Sequence, residues 1–417
     1  MNLIKSAQKN IHLQTYIFET DSFGRRVHEE LIRAAQRGLQ VFVLADSVGS
    51  RKLSQESGQQ MLDAGIHFCR FNGVQFKWLY QWGRRLHHKV LVIDHQKAFV
   101  GGINVTSACY DQKLLLPQLD FAVYLEGPVT FGLANYCQAI FKKACAHKIE
   151  FHPVVLKNCI VYPNGHELKI SINDWVYRRW QITRQYSRLT KVAKKEITIV
   201  NSYFFPRRKF MKQLAKAAKR GVKVRLILPK VSDWPTYIKA SQYLYAYFLK
   251  NGIEIYEWKK SILHGKLASI DGQWSTVGSF NLNYTSYQQN LEMNVNINSS
   301  ELTQKINQQI QQIIDTGCEK INSIEFLERT NFREKVSRFF YYVILSLVAN
   351  FSIGLIFQEN ENAKKNHFYK MLRVIGSVLL FIVGIIGIIL PVMPGIPFLI
   401  VSFLLVYQQI LSNNRDV

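Results

Sequence analysis

The chain has 417 residues, 48% of them hydrophobic, which excludes a disordered polymer and leaves room for two or three domains with their own cores. Its formal charge of +24 indicates a polyanionic partner, either nucleic acid or an anionic membrane surface, and charge alone does not decide between them. The six cysteines include no C-x-x-C pair, which favours a reducing compartment over a disulfide framework.

Strand and helix patterns in the first 330 residues occur twice. Each copy begins with an apolar strand that ends in aromatic residues, "TYIF" (15–18) and "SYFF" (202–205). An amphipathic helix, a glycine suited to end it and a buried strand follow, and this order then repeats. The matched stretches are 12–22 with 198–208, 34–46 with 217–229, and 62–71 with 249–258. The alternation predicts an α/β fold in two halves, each a mixed β-sheet flanked by helices.

The two halves differ in what precedes their first matched strand. The second half has extra sequence at 158–190 that predicts one further strand and helix, so we expect the first half to lack an edge strand. Within it, residues 173–188 interleave Trp and Tyr with Arg, as in a helix that lies on a membrane surface. A solvated basic helix is the alternative for the same residues.

One spacing of polar residues is shared by both halves. "LHHKVLVIDHQKAFVGGIN" (86–104) and "LHGKLASIDGQWSTVGSFN" (263–281) both read H-x-K-x4-D-x6-G-x-x-N. A single copy is best explained by a strand with a structural histidine, whereas two copies with unbroken spacing indicate a site. The candidate catalytic residues are His87, Lys89, Asp94, His264, Lys266 and Asp271.

Strand geometry gives these residues different roles. Residues two apart share a face, so each His lies beside its Lys, whereas each Asp points away and is expected to anchor a turn. A two-residue turn that begins at Asp271 would set His264 opposite Ser279, and the same register would set His87 opposite Gly102. The candidate phosphate-binding residues on this face are Asn104, Asn281, Ser279 and Gly102.

These groups suit a tetrahedral oxyanion. An ammonium supplies charge, a carboxamide and backbone N–H groups supply hydrogen bonds, and an imidazole attacks or transfers protons. Two such half-sites face to face would give two histidines for one phosphodiester. One would attack phosphorus while the other protonates the departing alcohol, with no metal or cofactor required. Symmetry does not decide which histidine attacks.

The composition changes near residue 335. Residues 339–357 are uncharged and would span about 28 Å as a helix, close to the thickness of a bilayer core. Residues 374–407 are uncharged too, and three prolines within them predict a hairpin of two membrane helices with both ends facing the cytoplasm. A span by the first segment would leave Lys364 and Lys365 outside, so we expect an interfacial or re-entrant helix there. A pair of soluble core helices is the alternative for the whole tail.

The duplicated H-x-K-x4-D motif resembles that of the phospholipase D superfamily. Stretches such as "VGGINV", "RGVKVRLILP" and "TVGSFNLNYTSYQQNLEMNV" resemble bacterial cardiolipin synthases in particular. The resemblance covers roughly residues 1–325 and implies two phospholipase D-like repeats with the active site at their interface. Hydrophobic membrane helices would follow at the C-terminal end.

The resemblance also implies roles for individual residues. An acidic residue downstream of each motif orients a histidine in this superfamily, which implies Asp120 for His87 and Glu292 for His264. Ser279 would contact phosphate, a position held by Gly102 in the first half. Family usage favours His87 as the nucleophile.

Together these observations predict a cardiolipin synthase-like phosphatidyltransferase. It would move a phosphatidyl group from phosphatidylglycerol to a second phospholipid through a covalent phosphohistidine, at the cytoplasmic side of the bacterial inner membrane and without a nucleic-acid partner. A phospholipase D-type hydrolase and a phosphodiesterase or nuclease are the alternatives, and the oligomeric state is left open. The expected domains are the first repeat at 1–150, the second repeat at 151–330 and a membrane-associated hydrophobic region at 331–417.

Overall fold

The structure is a computed structural model and describes residues 1–72, 83–109, 117–145, 151, 165–356, 376–377 and 401–404. The chain divides into two compact units, Met1–Asn350 and Phe351–Val417. Both repeats lie in the first unit. The repeat boundary expected at residue 150 lies outside the described residues and stays a prediction.

The membrane segments expected from the sequence are only partly described. Among the residues that the structure describes, no helix has the length and apolar character needed to cross a membrane. The expected hairpin at 374–407 lies outside the described residues apart from 376–377 and 401–404. There the Ser402 hydroxyl donates to the Ser377 backbone oxygen at 2.9 Å. The hairpin therefore stays a prediction.

Strands and helices alternate along the first repeat. In chain order they are α1 (Asn2–Ser6), β1 (Asn10–Thr15), α2 (Ser22–Gln36), β2 (Gln40–Asp46), α3 (Gln55–Asp63), β3 (His67–Phe71), β4 (Arg85–Leu86), β5 (Lys89–Ile93), β6 (Lys97–Gly101), a 3-10 helix (Ser107–Cys109), β7 (Ala122–Glu126) and α4 (Val129–Ala144). Asp21 caps α2 by accepting the N–H of Gly24. The expected glycine follows this helix, since Gly38 has a φ of +89°, and Gly221 has the same φ in the second repeat.

The second repeat contains the same series with additions at both ends. Its elements are β8 (Glu167–Asp174), β9 (Arg179–Trp180), α5 (Gln181–Val192), β10 (Glu196–Asn201), α6 (Arg208–Lys219), β11 (Lys223–Pro229), α7 (Pro235–Lys250), β12 (Glu254–Trp258), β13 (Lys266–Ile270), β14 (Trp274–Gly278), α8 (Tyr284–Gln288), β15 (Asn290–Asn298), α9 (Ser300–Gly317) and β16 (Cys318–Lys320). Two helices follow, α10 (Ser323–Arg329) and α11 (Phe332–Ile356).

Both sheets are mixed, as predicted. In the first, parallel strands β1 to β3 adjoin antiparallel β5 to β7 in the order β3-β2-β1-β5-β6-β7. The second repeats this arrangement in the order β16-β12-β11-β10-β13-β14-β15-β8-β9. Strand β8 adds to β15, whereas β7 is the edge of the first sheet among the described strands. The expectation that the first half lacks an edge strand stays a prediction.

A shared apolar core joins the repeats. Val100 and Leu125 of the first repeat lie in one buried cluster with Leu291, Met293 and Val295 of the second. Each fully buried side chain of this kind contributes about 2 kcal/mol. The cluster therefore holds strands of the two sheets together, including β6, which carries part of the first motif, and β15 of the second sheet.

The cysteines differ from the expectation of a fully reduced set. Cys69 in β3 and Cys145 after α4 form a disulfide, with Cα atoms 6.0 Å apart. Helix α4 packs against the sheet and brings positions 76 residues apart into bonding range. Cys137 and Cys318 are free. Cysteine spacing could not reveal this pairing because it depends on where α4 packs.

Residues 173–188 do not form the expected membrane-surface helix. Ile182 and Tyr186 of α5 are buried in the core of the second repeat. The Trp175 indole N–H donates to the Gln289 backbone oxygen at 3.1 Å. The arginines of α5 remain exposed, so the alternative of a solvated basic helix fits these residues.

Candidate active site at the repeat interface

Backbone pairing across the repeats places the first motif histidine. Strand β4 pairs in parallel with β15, with Leu86 opposite Leu291. The next residues along these strands, His87 and Glu292, are therefore neighbours. The Nδ1 atom of His87 lies 2.9 Å from the Glu292 carboxylate.

The second motif histidine is placed by a reciprocal contact. An isolated β-bridge pairs Leu119 of the first repeat with Leu263 of the second. Asp120 and His264 follow these residues, and the carboxylate of Asp120 lies 2.6 Å from Nδ1 of His264.

The acidic residues are therefore exchanged between the repeats. The pairing inferred from the resemblance, Asp120 with His87 and Glu292 with His264, is wrong. The backbone before each acidic residue pairs with the backbone before the histidine of the other repeat. Each carboxylate therefore contacts the histidine of the other repeat and not the one in its own. Motif order along the chain could not show this exchange.

Glu292 is fully buried and accepts four hydrogen bonds. Its Oε2 atom lies 2.9 Å from His87 Nδ1 and accepts the Ser279 hydroxyl at 2.5 Å. Its Oε1 atom accepts the Ser286 hydroxyl at 2.6 Å and the Asn290 amide at 3.0 Å. Burial alone would raise the pKa of Glu292, but His87, Lys89 and the Ser279 hydroxyl hold the pKa below its usual value. The ionised carboxylate keeps the imidazole proton on Nδ1 and leaves Nε2 as the reactive nitrogen.

Asp120 has fewer partners. It accepts from His264 and from the backbone N–H of Phe121 at 2.8 Å. A Cβ atom on Gly102 would lie 2.2 Å from the Asp120 carboxylate, so only glycine fits this close approach. Burial would raise the pKa of Asp120, yet His264 and Lys266 hold it below its usual value.

Both motif lysines are buried. Each ammonium donates to the backbone oxygen of its own motif histidine, Lys89 to His87 at 2.5 Å and Lys266 to His264. The charge of Lys266 lowers the pKa of His87, and the charge of Lys89 lowers the pKa of His264. The two half-sites therefore act on each other electrostatically across the interface.

Burial sets the resting protonation of the site. It lowers the pKa of His87 to about 4 against the opposing effect of Glu292, and it lowers the pKa of His264 as well. It also lowers the pKa of Lys89 to about 7. Both imidazoles are thus neutral near pH 7 in the unliganded site, and an entering anion would favour their protonation.

The motif aspartates anchor turns, as their strand parity predicted. The Asp94 carboxylate accepts the backbone N–H groups of residues 8–10, and the Asp271 carboxylate accepts those of residues 194–196. These bonds tie each motif strand to the start of the strand beside it, β1 in the first repeat and β10 in the second. We therefore remove both aspartates from the catalytic set, because their carboxylates are engaged at the far end of the strand.

The hairpin within each motif has a three-residue loop. Ile270 pairs with Trp274 around loop 271–273, and the first hairpin closes around loop 94–96 in the same way. The first two residues of each loop adopt the left-handed conformation, and the third adds one position to the expected turn. The predicted pairs that this shift excludes are His264 with Ser279 and His87 with Gly102.

The motif asparagines are buried near the ends of β1 and β10. Asn104 Oδ1 accepts the backbone N–H of Ile17 at 3.2 Å. Asn281 Oδ1 accepts the Ser202 hydroxyl at 2.8 Å. These bonds fix each carboxamide by its oxygen, and phosphate binding by these residues and by Ser279 stays a prediction.

Two tyrosines beside the histidines were missed by sequence reasoning. The Tyr16 ring lies 5.0 Å from the His87 ring, and the Lys89 ammonium lies 5.3 Å from the centre of the same Tyr16 ring. The Tyr203 ring lies 6.2 Å from His264, and its hydroxyl donates to Asp233 at 2.6 Å. The sequence feature that could have identified them is the aromatic run after β1 and after β10, which the strand pattern alone assigned to the core.

Comparisons with known proteins agree with this geometry. Residues 1–141 and 186–314 match the family described as "Cardiolipin synthase, PLD-like domain". The chain is 33% identical over 331 residues to "Cardiolipin synthase B" of Shigella flexneri and to that of Escherichia coli (strain K12), covering 78% of this chain and 80% of each relative.

Solved structures support the fold independently. Phosphatidylserine synthase of Haemophilus influenzae Rd KW20 superposes with a TM-score of 0.65 at 15% identity, covering 84% of this chain and 91% of the other. Polyphosphate kinase of Porphyromonas gingivalis superposes with a TM-score of 0.51 at 14% identity, covering 84% of this chain and 51% of the other. At these identities the likeness concerns the fold alone. The family match and the 33% identity over most of both chains together establish that this protein belongs to the cardiolipin synthases of the phospholipase D superfamily.

Proposed function

We propose that this enzyme transfers a phosphatidyl group from phosphatidylglycerol to the head-group hydroxyl of a second phospholipid, with His87 as the nucleophile. The observation that carries the proposal is the pair of histidine–carboxylate contacts, His87 with Glu292 and His264 with Asp120, built across one repeat interface. Two oriented imidazoles are what a two-step transfer at one phosphorus requires.

In the first step, Nε2 of neutral His87 attacks phosphorus and forms a P–N bond. The P–O bond to glycerol breaks, and His264, protonated when the anionic substrate is bound, gives its proton to the departing oxygen. Glycerol leaves with that proton. The phosphatidyl group remains on His87, whose positive charge is stabilised by Glu292.

In the second step, His264 takes the proton of the acceptor hydroxyl while its oxygen attacks phosphorus. The P–N bond breaks and returns the electron pair to His87, which is neutral again, and His264 is left protonated as it was before the first step. With phosphatidylglycerol as donor and acceptor, the products are cardiolipin and glycerol.

The surrounding groups support charge development at phosphorus. The ammonium groups of Lys89 and Lys266 are held by the backbone and do not need to reorganise, so they favour the anionic transition state. The carboxamides of Asn104 and Asn281 are the proposed hydrogen-bond donors to the same oxygens.

The proposed location is an anionic bacterial membrane, with the catalytic body on its cytoplasmic side. A formal charge of +24 favours an anionic lipid surface, where each nearby basic residue adds roughly 1 kcal/mol. The uncharged segments 339–357 and 374–407 support attachment to the same surface.

Lipid analysis tests the proposal. Purified protein is incubated with phosphatidylglycerol, alone and with phosphatidylethanolamine, and compared with His87→Ala and with His166→Ala, a histidine outside the pocket. We expect cardiolipin from wild type and His166→Ala and none from His87→Ala. Phosphatidic acid without cardiolipin would make the enzyme a hydrolase. DNA cleavage that is lost in His264→Ala, without any lipid product from wild type, would make it a nuclease.

A further inference from the structure

Helix α11 presents two different faces within the first compact unit. Tyr341, Tyr342 and Leu345 pack against the core of the second repeat. On the same side, the Arg338 guanidinium lies 4.5 Å from the centre of the Phe326 ring. This side fixes the helix on the protein body.

The opposite side of α11 exposes a continuous apolar stripe. Phe332 is 79% exposed, Phe339 50% and Leu347 49%, which are large values for such side chains. Together with Val336 and Phe340, these residues lie within about 100° of the helix circumference. That is the width of an apolar face that is normally buried against another surface. We call this set the α11 stripe, and its members are Phe332, Val336, Phe339, Phe340 and Leu347.

A series of aromatic contacts connects the stripe to the catalytic pocket. Phe339 lies 5.6 Å from Tyr243, and Tyr243 lies 4.5 Å from Tyr342, both measured between ring centres. The next contact along the series is Phe205 at 5.5 Å from Tyr342. The series continues from Phe205 to Tyr237 at 6.3 Å, to Tyr203 at 5.4 Å and to His264 at 6.2 Å. The stripe is therefore joined by packed rings to the rim of the second half-site.

The charges around the stripe are mainly basic. Arg333 and Lys335 are exposed on the same helix, while Glu334 is engaged by Arg338 at 3.3 Å. Arg208 is exposed as well, and the neighbouring Tyr342 hydroxyl raises the pKa of its guanidinium. Exposed apolar side chains flanked by cations match an anionic lipid surface, whose interface takes up aromatic rings and attracts Arg and Lys.

We propose that the α11 stripe docks on an anionic phospholipid bilayer and sets the catalytic pocket at the level of the lipid head groups. The inference rests on the proposed function for the identity of the lipid and adds the surface and the orientation that bring it to the site. The exposed Trp234, whose ring lies 5.8 Å from Tyr237, extends the same lipid-facing rim. Helix α5 is the contrasting case, because its apolar side is already buried.

An environment-sensitive fluorophore tests the surface directly. Full-length Phe339→Cys is labelled with NBD, with labelled Val336→Cys as a second stripe position and labelled Val192→Cys as the control. Val192 is 61% exposed on α5, outside the stripe. Labelled wild type supplies the background from native cysteines. The probes are vesicles of phosphatidylglycerol and vesicles of phosphatidylcholine.

We expect emission from both stripe positions to move to shorter wavelength and to rise with phosphatidylglycerol vesicles, and less with phosphatidylcholine. Emission from Val192→Cys should stay unchanged. Vesicle binding without a shift at either stripe position would overturn the inference, as would an equal shift at Val192→Cys. A shift already present before lipid is added would show that another part of the protein or a second copy covers the stripe, and would overturn it too.

A measurement of partition to the vesicles gives the size of the stripe's contribution to binding. Burying two half-exposed phenylalanines is worth about 2 kcal/mol, so Phe339→Ser with Phe340→Ser should weaken partition to these vesicles about thirty-fold. The readout is lipid contact and not turnover. A chain that docked in this way but made no cardiolipin would contradict the proposed function and leave the docking surface standing.

Discussion

Replacing Glu292 with Gln tests whether its carboxylate fixes the reactive nitrogen of His87. The two carboxylate oxygens serve His87 and three other donors, Ser279, Ser286 and Asn290. Glutamine keeps the shape but replaces one oxygen with an NH₂ group that only donates. If that group faces His87, it donates to Nδ1 and forces the imidazole proton onto Nε2, which can then no longer attack.

The expected loss is large because the wrong tautomer is inactive. In the serine-protease triad, the corresponding carboxylate-to-amide change lowers kcat by about 10⁴, equivalent to about 5 kcal/mol of barrier. The serine hydroxyls beside Glu292 can rotate to accept from the new amide, so the fold should persist. We expect cardiolipin formation by Glu292→Gln to fall by about 10³ to 10⁴ in kcat with little change in KM.

Initial rates in phosphatidylglycerol mixed micelles measure this effect, with Glu257→Gln as the matched control. Glu257 is also buried in the second repeat and accepts from Gln242 and Tyr245, at 3.1 Å in each case. The control should keep its rate. If Glu292→Gln retained more than about a tenth of wild-type kcat, the reasoning on the tautomer would be refuted. Equal losses in both variants would be traced to folding.

Three further predictions follow from burial and packing. The pKa of about 4 for His87 predicts that kcat/KM is maintained on acidification well below pH 6.5, the ordinary pKa of an imidazole, and a loss of activity with a pKa of 6.5 would contradict this. Between pH 6.5 and about 4, His87 takes up a proton in the unfolded chain but not in the folded one. The free energy of unfolding should therefore fall as the pH drops through this range. Gly265→Ala would place a methyl group 2.3 Å from a carbon of the Phe121 ring and should lower the free energy of unfolding by about 2 kcal/mol in urea denaturation. Gly132→Ala, whose methyl group would meet nothing within 4 Å beyond its chain neighbours and its own helix backbone, should be neutral or stabilising, and equal effects would argue against overpacking. Asp174→Ala would leave Arg84 without its buried partner at 2.6 Å and should lower the free energy of unfolding by about 3 kcal/mol, and a loss below about 1 kcal/mol would mean that water already reaches the pair.

The features that depend on local spacing could be predicted from the sequence. The repeated strands, the glycines that end α2 and α6 and the histidine–lysine pairs follow from periodicity and from the side-chain alternation of a strand. The turn-anchoring role of Asp94 and Asp271 followed from the same parity. The Asp120 and Glu292 positions were found through the resemblance, but the histidine partner that it implied for each of them was wrong.

The features that depend on long-range packing could not be predicted. Glu292 meets His87 across 205 positions of sequence because β4 pairs with β15. The disulfide between Cys69 and Cys145 depends on the packing of α4 in the same way. The hairpin register failed for a local reason, since one extra loop residue in each repeat shifts every cross-strand pair by one.

The exchange of carboxylates makes the two halves mutually dependent. A fragment with only the first 150 residues would contain His87 without Glu292 and Asp120 without His264, and a fragment with only the second repeat would lack the other member of each pair. Neither fragment could therefore turn over substrate by itself. Co-expressed fragments would regain activity only by associating with each other. Two full-length copies inactivated in different halves could complement one another only by domain swapping. Because each histidine depends on a carboxylate of the other repeat, selection for one histidine also acts on the opposite repeat. This constraint keeps both copies of the duplication in one chain after their sequences have diverged.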